Sequence, residues 1–98
     1  MLPIACSLSD PELAGRRAEL LTGVLREAHA IEPLPDGYRW RFSSAPNLLA
    51  RLGSVIDGER HCCRFLKFDL HADADLGEVN LDVTGPDGTI EFLSAWVA

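Results

Sequence analysis

The groups with the widest chemical reach in this chain are three thiols, Cys6, Cys62 and Cys63, and a carboxylate just ahead of the pair, Glu59. Thiolates are soft ligands that favour ions such as Cu(I) and Zn(II), and by the same softness Hg(II) or arsenite. A helical wheel at about 100° per residue, with Leu52 at zero, puts Val55 near −60°, Ile56 near +40° and Glu59 near −20°. On the same wheel Cys63 falls near +20°, Cys62 near −80° and His61 near 180°, facing water. Glu59 thus falls inside the apolar stripe, with Cys63 one turn further on. A carboxylate there costs several kcal/mol or more unless a metal, a proton or an arginine (Arg60 or Arg64 locally) neutralises it. It also falls near the helix end, where the macrodipole disfavours negative charge. The competing reading is an ion pair that stiffens the helix end.

Each of these signals is weak alone. The Cys-Cys pair lacks the Cys-x-x-Cys spacing of zinc ribbons and thioredoxins, and a lone buried cysteine is a common small hydrophobe, which by itself would account for Cys6. Two thiols beside a buried carboxylate, with a third brought near by the fold, make a three- or four-coordinate metal site the sharper expectation. Other constellations are poorer. His61 and Cys62 diverge by about 100° on a helix and cannot form a nucleophile–base pair. Asp69, Asp73, Asp75, Glu78 and Asp82 lack the spacing and glycine of a calcium loop and are expected on a solvated face. His29 and His71 have no companion legible in the sequence. With no phosphate-cradling glycine loop and no serine elbow, the chain is not expected to be an enzyme.

The elements that must position these groups follow from periodicity. Pro3 to Leu8 is a short apolar strand, and Ser9-Asp10-Pro11-Glu12 carries helix-start chemistry. Leu13, Leu20, Leu21, Val24, Leu25 and Ala28 recur at helical spacing. Next comes a weak strand, roughly His29 to Leu34, compromised by Pro33, then the turn Pro35-Asp36-Gly37. In the following strand Tyr38, Trp40 and Phe42 alternate with Arg39 and Arg41. Ser44 is expected to cap a second helix, with Pro46 in its first turn and Leu48, Leu52, Val55 and Ile56 as its stripe; Gly58 weakens its last turn. Two more strands alternate through Leu66, Phe68 and Leu70 and through Val79, Leu81 and Val83. After Gly85-Pro86-Asp87-Gly88, a closing helix carries Ile90, Phe92, Leu93, Trp96 and Val97. Trp40 and Trp96 are expected in the core or an interface.

This order, βαββαβ with an added strand and C-terminal helix, predicts an α+β fold, with a ferredoxin-like antiparallel sheet and the helices on one face. There the strand after the second helix would lie antiparallel to the first strand. Cys6 would then meet Cys62 and Cys63 near the first helix's N-terminus, whose partial positive charge favours thiolates. Another small α+β sandwich, completed by a partner chain, has the same element order.

Ninety-eight residues, 47% apolar and 24% charged, suit one globular domain (1–98) whose core is small enough that a homodimer would be unsurprising. A net charge of −6 with scattered basic residues argues against nucleic acid. The absence of a basic, apolar leader and of any membrane-length apolar run leads to the expectation of a cytoplasmic protein that does not engage membranes. In that reducing setting, three cysteines are expected as thiols.

The run Glu59-Arg60-His61-Cys62-Cys63-Arg64-Phe65, followed by the alternating strand to Leu70 and by Thr84-Gly85-Pro86-Asp87-Gly88, resembles small, functionally uncharacterised bacterial proteins with a Glu-x-x-Cys-Cys-x-Phe motif. That motif also occurs in tails of MerR-type metal-responsive regulators and beside metal-resistance genes. Ala5-Cys6-Ser7-Leu8 and the Glu12 to Arg17 helix start are similar too, so the likeness spans most of the chain. Arg64 departs from it, standing where a proline is expected. The resemblance implies metal association at Glu59, Cys62 and Cys63. With no helix-turn-helix in these residues, it implies no regulator role for this chain alone. The leading expectation is therefore a soft-metal trap, buffer or sensor module with Cys62, Cys63, Cys6 and Glu59 as ligands. The alternatives are a thiol redox protein using Cys62 or Cys63, or a non-catalytic interaction or dimerisation module with buried cysteines.

Overall fold

The computed structural model describes residues 23–62, 64–75 and 77–97, without the side chains of residues 61, 62 and 95. The expected first strand and most of the first helix lie outside the described residues. The described chain opens on a 3-10 turn, Leu25–Glu27, and runs through β1 (Ala30–Leu34), β2 (Gly37–Ser43), α1 (Leu48–Cys62), β3 (Lys67–Ala72), β4 (Glu78–Thr84) and α2 (Thr89–Val97).

The strands form one antiparallel sheet in the order β1-β2-β4-β3. Ile31, Trp40, Leu81 and Leu70 stand opposite one another across it, as do Tyr38, Val83 and Phe68, so period-two alternation gives the sheet one apolar face. Onto that face pack Leu48, Leu52 and Val55 of α1, Leu93 of α2, and Val24 and Leu25. Trp40, Leu52, Val83 and Leu93 are fully buried at its centre. The α+β class thus stands. The ferredoxin-like order does not appear in the described sheet: β2 has β1 and β4 as its two neighbours, so the place beside β2 that this topology reserves for the first strand belongs to β4. The reason is local. The loop between β3 and β4 is short, and a hairpin pairing of neighbouring strands closes at lower entropic cost than one with a distant strand.

Two element boundaries also differ from expectation. α1 starts at Leu48, not beside Ser44, whose N–H instead donates to the Gly77 carbonyl at 3.2 Å. Asn47, in the left-handed region at φ 60°, turns the chain into the helix, and its carbonyl accepts from the Arg51 N–H at 3.0 Å. Pro46 lies in the turn before the helix and not in its first turn. Pro33 is accommodated because β1 is an edge strand in the described sheet. Before α2, Gly88 takes φ 97°, which its lack of a Cβ permits, and its carbonyl accepts from Phe92 N–H at 3.1 Å. Among the described residues no helix is long and apolar enough to cross a membrane.

Candidate metal centre

α1 continues through Gly58 to Cys62, so the wheel built from the sequence applies to it. Leu48, Leu52, Val55 and Glu59 recur at spacings of three and four and are all buried, with Glu59 only 2% exposed. Glu59 is engaged and not free. Arg60 and Arg64, the local neutralising candidates, are both exposed.

The chain just beyond the helix is held by an aromatic chain. Phe65, 6% exposed, meets Phe92 edge-on with centroids 5.0 Å apart and an 83° interplanar angle. Phe92 touches Trp96 at 6.0 Å, and Trp96 touches Trp40 at 6.3 Å, so the turn after the cysteine pair is tied to α2 and the sheet centre. Gly85 presses from the other side: a Cβ there would come within 3.1 Å of the Phe65 carbonyl oxygen and 2.4 Å of Thr89 Oγ1. Phe65, three residues past the end of α1, is therefore packed against Phe92 and lies close to Gly85.

Of the four expected ligands, only Glu59 has its side chain among the described residues. Cys62 is the last residue of α1, with its side chain outside the description, and Cys6 and Cys63 lie outside the described residues. Among the described residues no three His, Cys, Asp or Glu side chains gather as a metal site would require.

The opposite face of the sheet holds a charge ladder that the sequence reading treated as solvated acid. Arg39 donates from Nε and a terminal nitrogen to the two carboxylate oxygens of Asp82, at 2.7 and 2.9 Å. Arg41 does the same to Glu78 at 2.9 and 2.7 Å and lies 3.6 Å from Glu32. Asp82 is consequently buried, 8% exposed. His29 and His71 do have companions: His29 Nε2 is 3.2 Å from Glu78, and His71 Nε2 is 3.9 Å from Asp82. The Arg41 fork holds the Glu78 carboxyl below its ordinary value, and the same guanidinium is held still more firmly charged. The signal that could have found this ladder was the alternation of Arg39 and Arg41 against that of Glu78 and Asp82, which needs the β2–β4 register to interpret.

A cleft of about 310 Å³ between the β1–β2 turn and the start of α2 was also not foreseen; Asp36, Asp87, Thr89 and Glu91 are among its lining residues. The Thr89 hydroxyl there is buried, with no hydrogen-bond partner among the described residues. No family model, no curated protein and no solved structure matches this chain.

Proposed function

We propose that this chain binds a soft, thiophilic metal ion through Cys62, Cys63 and Cys6, with Glu59 as a fourth ligand or as acceptor of a hydrogen bond that orients one. The observation carrying this reading is the burial of Glu59, 2% exposed, one helical turn before the cysteine pair. A carboxylate buried near a helix C-terminus opposes both desolvation and the macrodipole. Glu59 is already engaged within the fold, so its weight here is its position: a buried oxygen donor one turn from thiolates, which are the donors that select a soft ion. The anchoring of Phe65 against Phe92 supports the reading further, because ligands must be held on rigid elements to favour one coordination geometry.

Native mass spectrometry of reduced, chelator-free protein with one equivalent each of Zn(II), Cu(I) and Hg(II) tests this. The expected result is a stoichiometric, chelator-resistant adduct that is lost in the Cys62→Ser/Cys63→Ser protein. Affinity should fall about 10–100-fold in Glu59→Gln, the range for residues that orient a ligand. An adduct indifferent to both cysteines would overturn the proposal and return them to packing.

A further inference from the structure

The β2–β4 register brings two turns together away from the cysteines. Pro35 and Asp36 close the hairpin between β1 and β2, and Gly85-Pro86-Asp87-Gly88 leads from β4 into α2. Gly37 pairs with Thr84, and the Gly85 N–H donates to the Asp36 carbonyl at 3.1 Å, so the two turns are held side by side. Between them and the first turn of α2 lies the cleft of about 310 Å³, a size that suits a small molecule.

Its walls carry one sign of charge. Asp36, Asp87 and Glu91 line it, and no lysine, arginine or histidine does. Asp82 and Glu78 on the sheet are taken up by arginines, but none of these three carboxylates has an ion-pair partner among the described residues. Asp87 and Glu91 suit the start of α2, where the macrodipole favours negative charge. Asp36 belongs to another turn and has no such explanation. A helix N-terminus carries roughly half a positive charge, so three carboxylates outweigh it and the cleft attracts cations.

The one buried residue of the lining is also unsatisfied. Thr89 is 1% exposed, and its Oγ1 has no hydrogen-bond partner among the described residues. A Cβ on Gly85 would overlap that oxygen, so the hydroxyl is turned toward Gly85, which lines the cleft with it. A buried hydroxyl left unpaired lowers stability, and a valine of the same shape would avoid that cost. A threonine is explained if an occupant of the cleft uses its oxygen.

That occupant is not a single metal ion, because no three acidic side chains among the described residues gather closely enough to hold one. It has to span them. Pro35, Pro86 and Ile90 supply apolar lining between the charges, and Ile90 is 37% exposed. An alkyl chain with an ammonium group at each end fits both features. We propose that this cleft binds a small aliphatic di- or polyamine, its ammonium groups pairing with Asp36, Asp87 and Glu91 and one of them donating to Thr89 Oγ1.

The test is an amide-shift titration of the full, reduced, chelator-treated chain with 1,4-diaminobutane, spermidine, butylamine and Ca(II). Saturable shifts confined to Asp36 and to the Gly85 to Glu91 segment are expected with both polyamines at millimolar concentration, and weaker ones with butylamine. Thr89→Val should lower affinity about tenfold or more, as befits a hydrogen bond to a charged group, while the ligand-free melting midpoint holds or rises. Asp36→Asn, on an exposed turn where folding is not at risk, should lower affinity by up to about fivefold. Thr89→Ser should retain binding, and so should Cys62→Ser/Cys63→Ser, since the site owes nothing to the thiols. Absence of saturation overturns the proposal, as do shifts scattered over the surface or butylamine binding as tightly as the diamine. Affinity indifferent to both Thr89→Val and Asp36→Asn overturns it too, and saturable Ca(II) binding in the same segment would make this a metal site instead.

Discussion

Glu78 shows how single side chains on the charged face of the sheet contribute to stability. Its carboxylate receives both arms of Arg41 and lies 3.2 Å from His29, and the arginine contact is the main reason its carboxyl sits below the ordinary glutamate value. Glu27 is lowered in the same sense by Arg51. A carboxyl whose pKa is lower folded than unfolded adds stability above the unfolded value, and that stability is lost as pH falls through the folded one. Acidification from neutrality should therefore weaken the fold progressively once pH passes below about 4.3, the ordinary glutamate value. Glu78→Gln should lower the midpoint slightly at neutral pH and flatten this acid limb. Thermal melts of both proteins from neutrality down to well below the ordinary glutamate value check it, and parallel limbs would show that Glu78 is not among the linked groups. The effect at neutral pH is small because the pair is partly solvated and screened by salt.

At the scale of elements, the tightest constraint is the pairing of Gly37 with Thr84 at the end of the β2–β4 ladder. A Cβ on Gly37 would lie 1.8 Å from the Val83 carbonyl oxygen and 2.9 Å from the Thr84 Cα, both backbone atoms that no rotamer change can move. Gly37→Ala should therefore shift the strands apart and cost about 1–3 kcal/mol, lowering the melting midpoint by roughly 4–8 °C per kcal/mol. An unchanged midpoint would show that the ladder yields there without cost. That turn was legible as Pro-Asp-Gly chemistry, but its glycine is required by the neighbouring strand, which turn chemistry does not reveal. The elements themselves were readable where one face is buried: β2, β4 and both helices carry clean periodicity because each lays a single apolar stripe on the core. The start of α1 was not, since Ser44 has good capping chemistry but its N–H is taken by Gly77 across the sheet. Glu59 was legible because a charged residue interrupts an apolar stripe at a computable angle. Asp82 was not, because its burial depends on Arg39 forty-three residues earlier.

For the whole molecule, strand order is the property that pattern alone could not supply. Periodicity assigns each strand a face but not a neighbour, and two orders that bury the same face differ only in which loops they close. The consequence is that the proposed ligands come from two distant parts of the chain, the Cys6 segment and the end of α1. An ion bridging them would act as a cross-link of the folded state alone. At a free concentration of about one hundred times its Kd, such a ligand stabilises by about 2.7 kcal/mol. For a domain this size that corresponds to a rise in midpoint of roughly 10–20 °C. Zn(II) added to the reduced protein should produce this rise, whereas Cys62→Ser/Cys63→Ser should melt at one temperature with or without it. Because ligation requires deprotonated thiols, the rise should shrink as pH is lowered. Cys6→Ser is the discriminating variant. If Cys6 completes the site, its loss reduces the rise while Cys62 and Cys63 remain to bind. A rise unaltered in Cys6→Ser would confine the site to α1, and one that survived in the double-serine protein would place the zinc elsewhere.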